Sequence, residues 1–490
     1  MNLCLINHNF RYEIEKLIRI FLPFEKIAFF DSVVPDDNTV ITEIKTIGKD
    51  IYAFAELNIK DKKYSDKCLI SKDTDDLEQE KELRLAICLY NCFTFASGYY
   101  PQWGILTGVR PAKLFSRLSG SMGSKNAEEY FRDSFKVSDK KIELCKKTRL
   151  GEEKIISLSK SNSFSLYISI PFCPTRCSYC SFVSHSVEQA KKLIPKYVEK
   201  LCEEIALTGK KARELNLRLE TVYIGGGTPT TLSAEQIKTV MDTVKENFDL
   251  SDCLEYTVEA GRPDTITEDK LIAIKNGGAT RISINPQTMN DSVLETIGRK
   301  HTSAQTVESF KLARTLGFNN INMDLIAGLP SDTYDSFKET LDKVSKLNPE
   351  SVTVHSLSMK RSSNLTIKGD FPEIEIGKIA SDMVDYANTF LIKKGIFPYY
   401  MYRQSKTVGN LENVGYAKKG AECLYNVYIM DETHSILACG ASAVTKLREP
   451  GGNYIERIFN FKYPYEYIDR FNDIIARKDG INEFYNKFTT

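Results

Sequence analysis

The sequence predicts an α/β protein. Six strand–helix units in series build a parallel sheet, open or curled into a partial barrel, with an N-terminal α+β domain before it and a small C-terminal α+β domain after it. Three observations predict this. From about residue 160 to 395, short apolar β-like runs alternate with longer helical runs. The glycine-rich and polar motifs of that stretch all fall at or just past the C-terminal ends of the strand-like runs. Before 150 and beyond 397 the alternation is absent. The domain boundaries read from this are 1–150, 160–396 and 397–490.

In the first domain, runs near 26–34, 39–46, 51–58 and 63–70 read as strands and 76–97 as a helix. The one tryptophan, Trp103, lies in a segment punctuated by glycine and proline that is expected to pack between domains. In the central stretch the predicted strands are 166–170, 221–224, 254–258, 281–284, 320–325 and 351–355. The predicted helices are 188–214, 233–248, 267–276, 303–316, 333–346 and 374–394. Ser233 with Gln236 three residues later reads as a capping box at a helix start. Glycines at 277, 278 and 317 mark helix ends. Beyond 397, runs at 397–404, 424–430 and 436–439 read as strands, with a hairpin turn at Asp431-Glu-Thr-His434. An amphipathic helix is expected at 463–476.

Composition excludes several function classes. A balance of 66 basic against 65 acidic residues leaves a net charge of +1, so no bulk field attracts nucleic acid or an anionic membrane. No apolar run approaches the roughly 20 residues of a membrane span. The N-terminus lacks the flanks of a signal peptide, and the chain reads as cytoplasmic. In that reducing setting most of the 12 cysteines are expected to be free thiols, and Cys88 and Cys92, four apart on a predicted helix, read as core packing rather than a second metal site.

The chemistry is concentrated in Cys173, Cys177 and Cys180, a CxxxCxxC pattern directly after the first central strand. Three thiolates hold three corners of a [4Fe–4S] cube and leave one iron open to another ligand. The same spacing is half of a zinc site, for which His185 would be a fourth ligand. After the second strand comes Gly225-Gly-Gly-Thr-Pro229, where the missing Cβ atoms allow close backbone approach. Glu259, Asn285 with Gln287, Asp324, and His355 with Ser356 mark the ends of the next four strands. In sheets of this type that edge is where ligands bind.

The cysteine pattern, with Tyr179 before Cys180, resembles the radical S-adenosylmethionine (SAM) superfamily. Further motifs narrow the resemblance: Tyr167-Ile-Ser-Ile-Pro-Phe-Cys173, Tyr223-Ile-Gly-Gly-Gly-Thr-Pro-Thr230, Arg281-Ile-Ser-Ile-Asn-Pro-Gln287, Ile297-Gly-Arg299 and Asn322-Met-Asp-Leu-Ile-Ala-Gly-Leu-Pro330. As a set they are similar to the oxygen-independent coproporphyrinogen III dehydrogenase family. The flanking runs Trp103-Gly-Ile-Leu-Thr-Gly-Val-Arg-Pro111 and Gly409-Asn-Leu-Glu-Asn-Val-Gly-Tyr416 resemble its HemZ branch.

The resemblance implies a partial (β/α)6 barrel holding a [4Fe–4S] cluster on the three cysteines, with one or two SAM molecules. Carried over by position, Tyr167 and Tyr179 lie near the cluster, and Gly226, Gly227, Thr228 and Glu259 contact SAM. Gln287, Arg299 and Asp324 contact a second SAM, and Ser356 is a further cofactor contact. The implied reaction is oxidative decarboxylation of coproporphyrinogen propionates, driven by a low-potential donor such as flavodoxin or ferredoxin. Arg176 or Arg403 would face the propionates. Two positions depart from the pattern: Ser169 stands where it has histidine, and Phe182 where it has a fourth cysteine. The Cys-Ser-Tyr-Cys-Ser-Phe form is closer to HemW-like haem chaperones, which keeps haem delivery, or another radical tetrapyrrole reaction, as the alternative.

Overall fold

The computed structural model describes residues 1–108, 110–180, 185–358, 372–404 and 406–488. The chain divides into two compact units. One comprises Met1–Arg149, Ser356–Val384 and Tyr402–Asn413; the other comprises Leu150–His355, Asp385–Met401 and Val414–Thr490. Residues 414–490 thus group with the central stretch.

The first unit contains a five-stranded sheet in the order Ala28–Phe30, Asn2–Ile6, Asn38–Ile47, Asp50–Ile59, Lys62–Ile70. The last three form an antiparallel meander, and Asn2–Ile6 pairs in parallel with both its neighbours. Helices Arg11–Phe21 and Leu77–Ser97 contribute Leu17, Phe21, Leu85, Leu89 and Phe93 to one core with Leu3, Val40 and Leu57 of the strands. Trp103 is buried, its indole N–H donating to Glu412 at 2.7 Å, and Lys141 lies 2.6 Å from the other oxygen of the same carboxylate. The pairing satisfies a charge that burial would otherwise penalise by several kcal/mol.

The second unit holds an eleven-stranded sheet. Its six central strands are β1 (Ser163–Ile170), β2 (Arg218–Gly226), β3 (Glu255–Gly261), β4 (Arg281–Ile284), β5 (Ile321–Ala327) and β6 (Ser351–Ser356). They lie in sequence order, and the ladders from β1 through β5 are parallel. Helices connect them, among them Ile194–Glu214, Ala234–Asn247, Glu268–Asn276, Ser303–Thr315 and Tyr334–Leu347. The capping box at Ser233 and Gln236 is present. The sheet is open: Phe397–Arg403 stands at one edge and Ile455–Phe459 at the other, so no barrel closes.

The C-terminal segment differs from its predicted form. Residues Leu424–Asp431 are a helix and not a strand. The cause is distant in sequence. The buried Glu255 carboxylate accepts from the backbone N–H of Leu424 at 2.9 Å and of Tyr425 at 3.4 Å, supplying the acceptors that a helix N-terminus lacks. The helix ends at Glu432, which is in the left-handed conformation, and a short turn leads to Ser435–Cys439, which pairs in parallel with β1, so residues 431–434 join a helix to a strand and form no hairpin. The expected helix at 463–476 forms as two, Pro464–Asp469 and Phe471–Arg477.

Buried Glu204 ties this segment down. Its carboxylate accepts from the Gly440 backbone at 2.7 Å, the Asn460 amide at 2.7 Å and the Tyr467 hydroxyl at 2.6 Å, and pairs with Lys478 at 2.9 Å. Both charges are fully buried, so removing one strands the other. Glu204→Ala is expected to destabilise the protein by about 3–5 kcal/mol, read as a lower urea midpoint. Glu204→Gln, which keeps hydrogen-bonding oxygen and nitrogen atoms, is expected to lose less.

Candidate active site

The cysteine loop leaves β1 through Pro171 and a two-residue strand, Phe172–Cys173, that pairs with His185–Ser186. Cys177 is buried, while Cys173 and Cys180 are partly exposed. Two sets of contacts hold the loop. On one side the glycine turn after β2 continues the sheet ladder: Gly227 N–H donates to Ile170 O and Thr228 N–H to Phe172 O, both at 2.8 Å. The Thr228 hydroxyl points at Cys173 Sγ, 3.7 Å away. A Cβ on Gly227 would sit 2.5 Å from Phe172 O and 2.9 Å from Ile170 O. Gly226 has φ +106°, a conformation that favours glycine. The close approach that these glycines permit is toward the backbone of the cysteine loop itself.

On the other side, Ser178 N–H donates to Ile297 O at 3.2 Å, and the Arg262 guanidinium donates to the Thr175 hydroxyl at 2.7 Å. Arg262 is in turn fixed by Asp264 at 2.7 Å. Arg299 donates to the Tyr179 hydroxyl at 3.2 Å and to Asn285 O at 2.9 Å, and it interacts with the Cys177 thiol. Arg299 and Tyr179 are thus both joined to the cysteine loop.

The remaining predicted residues gather at the C-terminal ends of β3 to β6. Glu259 precedes a register shift in the β3–β4 ladder, a bulge that re-aims the strand end. Its carboxylate accepts from the Tyr223 hydroxyl at 2.5 Å, and Gly225 leaves the space beside it, since a Cβ there would lie 3.0 Å from the carboxylate carbon. Burial raises Glu259 to about 7; Tyr223 opposes the shift, Asp324 adds to it, and His355 and Arg281 oppose it. Tyr223 stacks on Tyr425 at 4.5 Å and on Tyr167 at 6.2 Å, so an aromatic floor underlies the carboxylate. Gln287 sits at φ +68°, and its backbone bonds to Asp324 and Ile326 carry the β4–β5 ladder past the end of β4. Asp324 accepts from the Asn322 amide at 2.7 Å and faces His355 Nε2 at 3.8 Å. Burial alone would raise the Asp324 carboxyl, but His355, Asn322 and Thr353 outweigh it and hold it low.

Ser356 is committed elsewhere. Its hydroxyl donates to Glu412 O at 2.6 Å and its N–H to Asn413 at 2.9 Å. Arg403 is buried, donates to Leu106 O at 2.8 Å and lies over the Trp103 ring, so it is not a surface group for propionates. Arg176 is exposed. Phe182 lies outside the described residues. Sequence reasoning marked His355 only as a strand-end residue and missed Tyr223 and Arg262. His355 was signalled by its place at the end of the sixth strand; the other two acquire roles only through partners far away in sequence.

The donor set fits a [4Fe–4S] cluster. Among the described residues, no group of three ligand atoms within 4.8 Å of one another includes any of Cys173, Cys177 and Cys180. Ligands on one zinc ion would sit roughly 3.8 Å apart, from bonds of about 2.3 Å. A cube places each thiolate on a separate iron, which suits wider spacing. His185 packs edge-on against the stacked pair Tyr463 and Tyr465, 6.0 Å from each ring.

Two predictions follow from this geometry. Gly227→Ala forces a Cβ into immobile carbonyl oxygens, so the cysteine loop must shift. Iron retained per chain after anaerobic reconstitution is expected to fall severalfold while far-ultraviolet circular dichroism is unchanged. Glu259 is raised from an ordinary 4.5 to about 7, so its contribution to stability falls as pH rises through that window and the folded state acquires a buried charge. Glu259→Gln removes this dependence. Relative to wild type, the variant is expected to gain up to about 3 kcal/mol between pH 5 and pH 8 in urea unfolding of the apoprotein.

The family model of the Radical SAM superfamily matches residues 167–344. A curated relative, the oxygen-independent coproporphyrinogen-III oxidase-like protein HemZ of Bacillus subtilis, is 36% identical over 416 residues, 83% of each chain. The heme chaperone HemW of the same organism is 32% identical over 314 residues, 61% of this chain and 77% of its own. The structure of coproporphyrinogen III oxidase (HemN) from Escherichia coli superposes with a TM-score of 0.50 at 22% identity, over 66% of this chain and 72% of that one. That likeness concerns the fold. The family uses a [4Fe–4S] cluster and SAM, and the cysteine loop stands where this fold offers them a place. The chain belongs to the radical SAM superfamily, in the HemZ branch of the oxygen-independent coproporphyrinogen III dehydrogenase family.

Proposed function

We propose that the protein carries out oxygen-independent oxidative decarboxylation of coproporphyrinogen III, converting two propionate side chains to vinyl groups and giving protoporphyrinogen IX. The observation that carries this reading is the convergence of Glu259, Gln287, Arg299 and Asp324 on the sheet edge that also bears the cysteine loop. When bound, the cluster and SAM would supply a 5′-deoxyadenosyl radical able to take hydrogen from the propionate β-carbon, with SAM, cleaved to methionine and 5′-deoxyadenosine, as the net two-electron oxidant for the loss of carbon dioxide.

The chain's own residues bind, orient and shield. Glu259, ionised above about pH 7, offers an acceptor to an ammonium group. Asp324, held ionised and oriented by Asn322, offers acceptors to ribose hydroxyls. Arg299 keeps Tyr179 and Cys177 in place beside them. Arg176, exposed between Cys173 and Cys177, is the proposed cationic partner for a substrate propionate. A cytoplasmic flavodoxin or ferredoxin is the proposed electron donor.

A second reading, a haem chaperone, is favoured by the Cys177-Ser-Tyr-Cys-Ser-Phe182 form of the cysteine loop. Anaerobic turnover of the reconstituted protein with SAM, a low-potential reductant and coproporphyrinogen III separates the two. Protoporphyrinogen IX is expected with matching 5′-deoxyadenosine by mass spectrometry, and both are expected to vanish in Cys177→Ala. 5′-Deoxyadenosine without porphyrinogen conversion would reject the substrate. Stoichiometric haem binding without SAM cleavage would reject the enzyme.

A further inference from the structure

We propose that Asp66, Cys68 and Cys88 of the first unit form a zinc site, using none of the cysteines of the radical SAM loop. One carboxylate oxygen and two sulfur atoms of these residues lie within 4.8 Å of one another. Closing to the roughly 3.8 Å edge of a tetrahedron with zinc–sulfur bonds of about 2.3 Å requires a movement of at most about an ångström.

The placement follows from strand and helix periodicity. Along Lys62–Ile70, residues 62, 63, 65, 67 and 69 are exposed, while Tyr64, Asp66, Cys68 and Ile70 are wholly or partly buried. Asp66 and Cys68 thus share the covered face of the strand. Helix Leu77–Ser97 packs on this sheet and brings Cys88 to the same place. Core packing accounts for an apolar thiol at Cys88. It does not account for a carboxylate on the covered face between Tyr64 and Cys68.

The Asp66 carboxylate is also oriented. Asn91 donates to Oδ2 at 2.7 Å and the Lys67 N–H to Oδ1 at 2.8 Å, and each oxygen keeps a lone pair for a metal. The Cys88 thiol donates to Ala53 O at 3.5 Å, which holds its sulfur against the sheet. Cys92, one turn beyond Cys88, contacts the Asp66 backbone and donates to Ala55 O at 3.4 Å, closing the inner side.

Two sulfurs and one carboxylate select a borderline-soft ion such as zinc over calcium or magnesium, which take all-oxygen shells. The partly exposed Asp66 and Cys68 leave the fourth position to water. Lys62–Ile70 is an edge strand, and the metal would clamp it to the helix.

The test uses the full chain with its cluster reconstituted, so that the loop cysteines are filled by iron, then equilibrated with zinc sulfate and desalted. The expected result is about one zinc per chain, with a zinc-edge X-ray absorption shell of two sulfurs at about 2.3 Å and lighter atoms. Cys68→Ser and Asp66→Asn, both at partly exposed positions, are expected to lose most of the zinc while iron per chain stays constant. Asn91→Ala, which leaves every ligand in place, is expected to weaken zinc binding by about 10- to 100-fold in competition with a chelator. Zinc retained at the wild-type level in Cys68→Ser would overturn the site. So would a zinc-free wild type, or a Cys68–Cys88 disulfide in protein kept anaerobic.

Discussion

The cysteine loop depends on two backbone hydrogen bonds, Gly227 to Ile170 and Thr228 to Phe172. They extend the β1–β2 ladder beyond the strands and bring the loop against the glycine turn. A side chain at 227 would collide with the carbonyls that accept these bonds. The glycine-rich motif therefore acts first on the protein's own backbone. By fixing residues 170–173 it sets where Cys173 stands, and the bonds of Thr175 with Arg262, of Ser178 with Ile297 and of Tyr179 with Arg299 hold the stretch from 175 to 179. A loop held on both sides is preorganised: its thiols need not be gathered at an entropic cost when a cluster is assembled.

The same economy governs the polar edge. Glu259 and Asp324 are both buried carboxylates, yet their environments push them apart. Glu259 rests on an aromatic floor and is raised, whereas Asp324 has His355, Asn322 and Thr353 around it and is lowered. One edge thus presents a carboxylate charged over the whole working range and another that changes charge near neutrality. Each raises the cost of ionising the other, so a cationic ligand between them would relieve a repulsion already built into the strand ends.

Much of this was legible in the sequence because it is local. The six central strands show as apolar runs bounded by glycine and polar residues, and Ser233 with Gln236 marks a helix start by side-chain chemistry alone. What was not legible depends on distant partners. Leu424–Asp431 reads as a strand from Val427, Tyr428 and Ile429, but Glu255, 169 residues earlier, caps it as a helix. Arg403 reads as a free cation and is buried under Trp103. Cys88 reads as a small apolar residue and is buried in the core, but its nearness to Asp66 and Cys68 appears only once strand pairing and helix packing are known.

The fate of the arginines bears on substrate recognition. Arg262 and Arg299 are held against the cysteine loop and Arg403 is sealed in the first unit, so all three charges are already used in organising the protein. Turning any of them to a propionate would leave their present acceptors (backbone carbonyls and, for Arg262, the Asp264 carboxylate) unsatisfied, at about 1–3 kcal/mol each. The Arg176 side chain is exposed on the loop between Cys173 and Cys177. A substrate carboxylate drawn to it would be brought to the cysteine loop itself. On the proposed reading, recognition and radical chemistry would be coupled by a few residues of chain.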